Sequence, residues 1–195
     1  MSETTDQKTY IGDKKVSTVF ITRTAILLAL TLVFQYLGRF IPLGPNSNFI
    51  VGPLVNACLL ITAHFVGIGS AAIVSVVTPL FAALTNTSAT APFVLMFSPF
   101  IAAGNFVYAL MYWLLYKKGK AAASGGTAIG AVLKFLLLSQ GVKFMLGIKE
   151  MPGPAQTALT LMFGWPQLVT AAIGGVLAMA VIVVLEKNIK LKSNK

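Results

Sequence analysis

Apolar residues in this chain recur as long, nearly unbroken runs rather than on one face of a helix or one side of a strand. Short polar segments rich in glycine and proline separate the runs. A helix needs about 20 apolar residues to cross a bilayer. Six runs come near or exceed that length, at 19–40, 49–66, 69–84, 92–116, 127–148 and 157–185. The second and third meet at Gly67-Ile68-Gly69-Ser70, which predicts a tight hairpin. The third is short and contains Pro79. The sixth is long enough to tilt, and Pro166 is expected to bend it or delay its helical start. The pattern predicts an all-α integral membrane protein of six transmembrane helices. Residues 1–16 read as a flexible tail, 17–187 as one six-helix domain and 188–195 as a basic tail.

Composition supports this reading. The 195 residues are 56% hydrophobic and 10% charged, with a mean hydropathy of +0.83. The net charge of +10 does not point to nucleic acid, because the charges flank apolar spans and form no separate basic face. The bilayer and its head groups are the expected partner. Lys8, Lys14, Lys15 and Arg23 precede or open the first span, Lys117, Lys118 and Lys120 follow the fourth, and Lys187, Lys190, Lys192 and Lys195 close the chain. With both termini cytoplasmic, eleven basic residues lie inside and only Arg39 and Lys149 outside, so the chain is expected in the cell membrane in that orientation. The inner connections are a glycine hairpin and a flexible linker over 117–126. The outer ones, at 38–48, 85–91 and 149–156, carry more turn-forming residues and can be shaped lids or plain solvated links.

Polar residues inside the spans are the candidates for chemistry, since hydrocarbon penalises them. Ser139, Gln140 and Lys143 share a face of the fifth helix in its outer half. Lys143 either snorkels to the interface or faces an outward-open pocket. Lys134 lies nine positions away, close to half a turn out of phase, and is expected to point elsewhere, snorkelling or meeting a partner subunit. Asn105 falls near the middle of the fourth span. Trp165 and Gln167 interrupt the outer part of the sixth, where Trp165 suits either an interfacial belt or the stacking of a flat heterocycle. Asn56 serves equally as interhelical glue or as a ligand contact.

Several chemistries are excluded. The single cysteine, Cys58, precludes an intramolecular disulfide or a multi-cysteine metal site, and one histidine, His64, makes no metal cluster. No Asp or Glu lies within the spans, where proton- or sodium-coupled carriers commonly keep one. A phosphate-cradling glycine loop with its lysine is also missing. The chain is expected to be no enzyme, to need no cofactor, and to bind something without energy-coupling chemistry of its own.

Small residues mark close helix contacts. Ala25-Ile26-Leu27-Leu28-Ala29 puts two alanines four apart on the first span, and Ala171/Gly175 and Gly174/Ala178 repeat the spacing on the sixth. Six spans, both termini inside, a proline-containing first outer loop and Ala25-x-x-x-Ala29 together resemble the substrate-binding S component of an energy-coupling factor (ECF) transporter, over about 17–187. The resemblance implies a subunit that binds a vitamin or related micronutrient from outside. It implies docking through Ala25 and Ala29 onto a transmembrane coupling subunit joined to two cytoplasmic ATPases, and toppling in the membrane to release the ligand. It places the ligand among the first outer loop and spans four to six. By position that region holds Arg39, Asn48, Asn105, Gln140, Lys143, Trp165 and Gln167. With no embedded carboxylate to pair with a cation, a neutral or anionic ligand is expected. The competing readings are an autonomous small carrier or channel, a structural subunit of a membrane complex, and an intramembrane enzyme, which lacks its residues.

Overall fold

The computed structural model describes residues 9–11, 14–38, 40, 47–87 and 91–193. Two short strands, β1 (Thr9–Ile11) and β2 (Lys14–Val16), pair antiparallel ahead of the helices, with Tyr10 opposite Lys15. Seven helices follow: α1 (Thr18–Leu37), α2 (Asn48–Phe65), α3 (Ile68–Thr85), α4 (Ala91–Leu115), α5 (Lys120–Ile148), α6 (Gly153–Phe163) and α7 (Trp165–Ser193). Among the described residues they contain six stretches long and apolar enough to cross a membrane, as the hydropathy pattern predicts. Apolar side chains cover the outside as well as the core: Ile26, Val33, Leu84, Leu136, Val176 and Val184 are all exposed. In water such a surface would drive aggregation, whereas in hydrocarbon it is the natural boundary.

The connections hold three findings. Between α2 and α3 the chain turns on Val66 and Gly67, the glycine at φ 117°, a left-handed conformation that side chains rarely adopt. This is the expected hairpin. The flexible linker expected over 117–126 is instead a 3-10 turn at Tyr116–Lys118, then Gly119, then helix from Lys120 onward. The run Ala121-Ala122-Ala123 favours helix. Gly126 is retained because α5 lies against α4 there, and a Cβ on it would stand 2.5 Å from the Met111 carbonyl oxygen. The sixth span, expected from 157 with Pro166 bending it or delaying its helical start, is broken at Gly164. α6 begins earlier, after Pro152 and with Pro154 in its first turn, and α7 begins with Trp165 and Pro166. The proline therefore starts a new helix rather than bending an old one.

α4 packs chiefly on α5 and α3, and α2 chiefly on α7. Glycine sets the second contact. A Cβ at Gly174 would meet the Asn56 Cβ at 2.6 Å and the Pro53 carbonyl at 2.7 Å. Apolar side chains fill the interior in two clusters. One, near the end that carries the termini, centres on Leu60, Tyr108, Tyr112 and Ile182. The other, toward the opposite end, centres on Phe97, Leu138, Met145 and Phe163. α1 is the lightly held member: only Thr24 and Thr31 are buried.

Gly174→Val is expected to force α7 off α2 and destabilise the protein by about 1–3 kcal/mol. Gly147→Val, with nothing within 4 Å of an added Cβ, is the control. Thermal unfolding of the two variants in detergent checks this; equal melting temperatures would show that the α2–α7 approach tolerates a side chain.

Candidate functional site

Polar side chains inside the bundle fall into two classes. Most hydroxyls return a hydrogen bond to their own helix. Thr31 donates to the Leu27 carbonyl (2.6 Å), Thr62 to Cys58 (2.7 Å) and Thr78 to Val74 (2.6 Å). A smaller set ties helices together. Thr24 and Ser70 share a bond of 2.6 Å, and Tyr108 donates to the Ala171 carbonyl at 2.7 Å. His64 bonds the Tyr112 hydroxyl through Nδ1 (2.8 Å) and Glu186 through Nε2 (3.0 Å), joining α2, α4 and α7 at the end that carries the termini. Among the described residues no group of three or more His, Cys, Asp or Glu side chains is placed to hold a metal ion.

At the opposite end the helices part around a cavity of about 140 Å³. Gln35 of α1, Asn48, Val51, Gly52 and Asn56 of α2, Thr78 and Pro79 of α3, and Asn105 of α4 line it. Lys134 of α5, Met162 and Phe163 at the end of α6, and Gln167 of α7 complete the wall. Lys134 is 3% exposed. Its ammonium donates to the Asn56 Oδ1 at 2.6 Å and lies 5.6 Å from the centre of the Tyr108 ring. Gly174 fixes Asn56 from behind through the close approach of α7. Gln167 is held by the chain break: its Nε2 donates to the Met162 carbonyl at 2.9 Å, a group that α6 leaves without a helical partner. The side-chain oxygen of Gln35 is buried and has no hydrogen-bond partner among the described residues. A larger hollow of about 450 Å³ lies between α5 and α7, lined by Ala128, Ala131, Val132, Ala172, Val176 and neighbours. It offers little beyond Ser124 and Thr127 for recognition, so the smaller polar cavity is the better candidate.

The cavity gathers three of the positions expected from the sequence, Asn48, Asn105 and Gln167, on three different helices. Arg39 lies outside the described residues. Gln140, Lys143 and Trp165 do not line the cavity. Gln140 and Lys143 are exposed, Lys143 over a shallow crevice beside Ser139 and Thr160. Trp165 is 59% exposed and packs on Phe49, with ring centres 5.6 Å apart. The phase relation between the two lysines of α5 holds, but the inward one is Lys134. This corrects the snorkelling expectation for it. With α5 starting at Lys120, Lys134 is 14 residues along the helix, about 21 Å from its end and too deep to reach water along its own stem. The spacing Gly126, Gly130, Lys134 marks the inward stripe and is readable in the sequence. Gln35 and Thr78 carry no comparable signal. Ala25 and Ala29 sit on the exposed side of α1.

A family model described as "ECF transporter, substrate-specific component" matches residues 19–186, nearly the whole bundle. The chain belongs to that family. The S component is thus a multi-pass membrane protein, the binding subunit through which an ECF complex takes up a vitamin or related micronutrient, and its family is one of transport components rather than enzymes. No curated relative and no solved structure matches this chain.

Asn56→Leu is expected to strand the Lys134 ammonium and cost about 1–3 kcal/mol, whereas Asn56→Leu combined with Lys134→Met should cost less than the first change alone. A double-mutant cycle on thermal or denaturant stability reads the coupling. Additive losses would mean that the two side chains do not support each other.

Proposed function

We propose that the cavity lined by Asn48, Asn56, Asn105, Lys134 and Gln167 is where this S component holds its ligand, and that it faces the outside of the cell. The observation that carries this is position. It is a polar cavity in the half of the bundle remote from the termini, while Lys117, Lys118, Lys120 and Lys187 lie at the other end. The positive-inside rule then puts both termini in the cytoplasm. Pockets for drug-sized molecules run from about 300 Å³ upward. A cavity of about 140 Å³ suits a small ligand, or one end of a larger one, and the absence of a carboxylate among the described lining residues favours a neutral or anionic compound. The exposed Ala25 and Ala29 offer a flat strip on the least buried span, suited to close docking on a transmembrane coupling subunit that in turn contacts two ATPases.

Thermal unfolding of the purified protein with a panel of water-soluble vitamins and precursors tests the first part. A ligand at a hundredfold excess over its dissociation constant adds about 2.7 kcal/mol. Lys143→Ala should retain the shift and Gln167→Ala should reduce it; the reverse pattern would move the site to the α5 crevice. For docking, Ala25→Trp is expected to abolish uptake in cells while leaving ligand binding intact. Uptake by the protein alone in vesicles would sink the ECF-dependent mechanism and favour an autonomous carrier.

A further inference from the structure

Among the described residues Lys134 is the one charged side chain lining the cavity, and it is nearly completely buried. An ammonium group has three N–H donors. One goes to Asn56 Oδ1, and the Tyr108 ring lies 5.6 Å away. Among the described residues it has no carboxylate partner: Glu150 is exposed beyond the end of α5, and Glu186 is bound to His64 at the far end of the bundle. A cation kept at this depth with only a neutral amide costs stability that an apolar side chain of the same length would not. Such a cost is characteristic of a group retained to meet a ligand. The buried oxygen of Gln35 on the same wall likewise accepts nothing from the described residues.

We propose that Lys134 receives a carboxylate of the transported ligand, with Asn56 holding the ammonium in place, and that Gln35 accepts an N–H or O–H from the same molecule. This rests on the cavity being the ligand site. A carboxylate fits better than a phosphate. One lysine balances one negative charge, and no second basic side chain among the described residues lines the cavity to meet a dianion. The substrate class is then a small micronutrient acid carrying a hydrogen-bond donor. Removing either feature removes a partner that none of the described residues supplies.

The test uses acid and uncharged pairs as probes: nicotinate against nicotinamide, pantothenate against panthenol, and biotin against its methyl ester. Affinities are measured by calorimetry on the full-length protein and on Lys134→Met, Lys134→Gln, Lys134→Arg and Lys143→Met. An acid is expected to bind at least about tenfold more tightly than its uncharged partner. Lys134→Met and Lys134→Gln should erase that preference, Lys134→Arg should keep part of it, and Lys143→Met should keep it all. Ligand-free Lys134→Met should melt no lower than the parent protein. Equal binding of acid and uncharged partner, or a preference that survives Lys134→Met, would overturn the carboxylate assignment and leave the cavity as the ligand site. Absence of binding by every probe to folded protein would overturn both. Lys134→Met that melts well below the parent and still binds the acid would make the lysine a structural element only.

Discussion

Hydrocarbon offers a polar side chain no water to bond with, and the interior of this bundle is organised around that constraint. Threonines 31, 62 and 78 satisfy it cheaply by bonding back to their own helices. The costlier solutions are the ones that join helices. Tyr108 to Ala171 ties α4 to α7, His64 with Tyr112 and Glu186 ties three helices near the termini, and Lys134 to Asn56 ties α5 to α2. These are also the bonds that decide which residues can face one another. The cavity exists where the helices separate and the remaining polar groups are incompletely answered.

Close packing makes those bonds possible. Gly174 lets α7 press on α2 at the turn that carries Asn56, and Gly126 and Gly130 let α5 press on α4 just below Lys134. The glycines therefore do more than save space. They set the depth and direction of the two side chains whose contact defines the floor of the cavity. α1 adds to this framework the Thr24–Ser70 bond to α3; Gln35 near its end is its contribution to the cavity, and its alanine strip stays uncovered.

Most of the architecture was legible because hydropathy and length report directly on membrane crossing. Six spans, the glycine hairpin at Gly67 and the singular position of Pro166 all follow from local sequence. The candidate site was only half legible. Asn48, Asn105 and Gln167 were expected by their position in the region that the family resemblance assigns to the ligand. Lys134 was missed although Gly126 and Gly130 share its face, because the residues from Lys120 to Gly126 look like a linker until α4 is seen lying against them. Lys143, with Ser139 beside it, forms a plausible polar face that turns toward the surroundings. Helical phase shows which residues share a face, but which face points inward is settled by the small residues that permit contact. Gln35 reaches the cavity through the arrangement of three helices, which no local pattern encodes.

The break at Gly164 has an electrostatic consequence. A helix carries roughly half a positive charge at its amino end and half a negative charge at its carboxyl end. A lone interrupted helix beside a cavity would impose one of these on whatever entered. Here the carboxyl end of α6 and the amino end of α7 are one residue apart, and Gln167 bonds across the gap. The two half-charges form a compact pair whose fields largely cancel at a distance. The interruption shapes the wall with Phe163 and Gln167 yet leaves the potential inside to be governed by a single ammonium group.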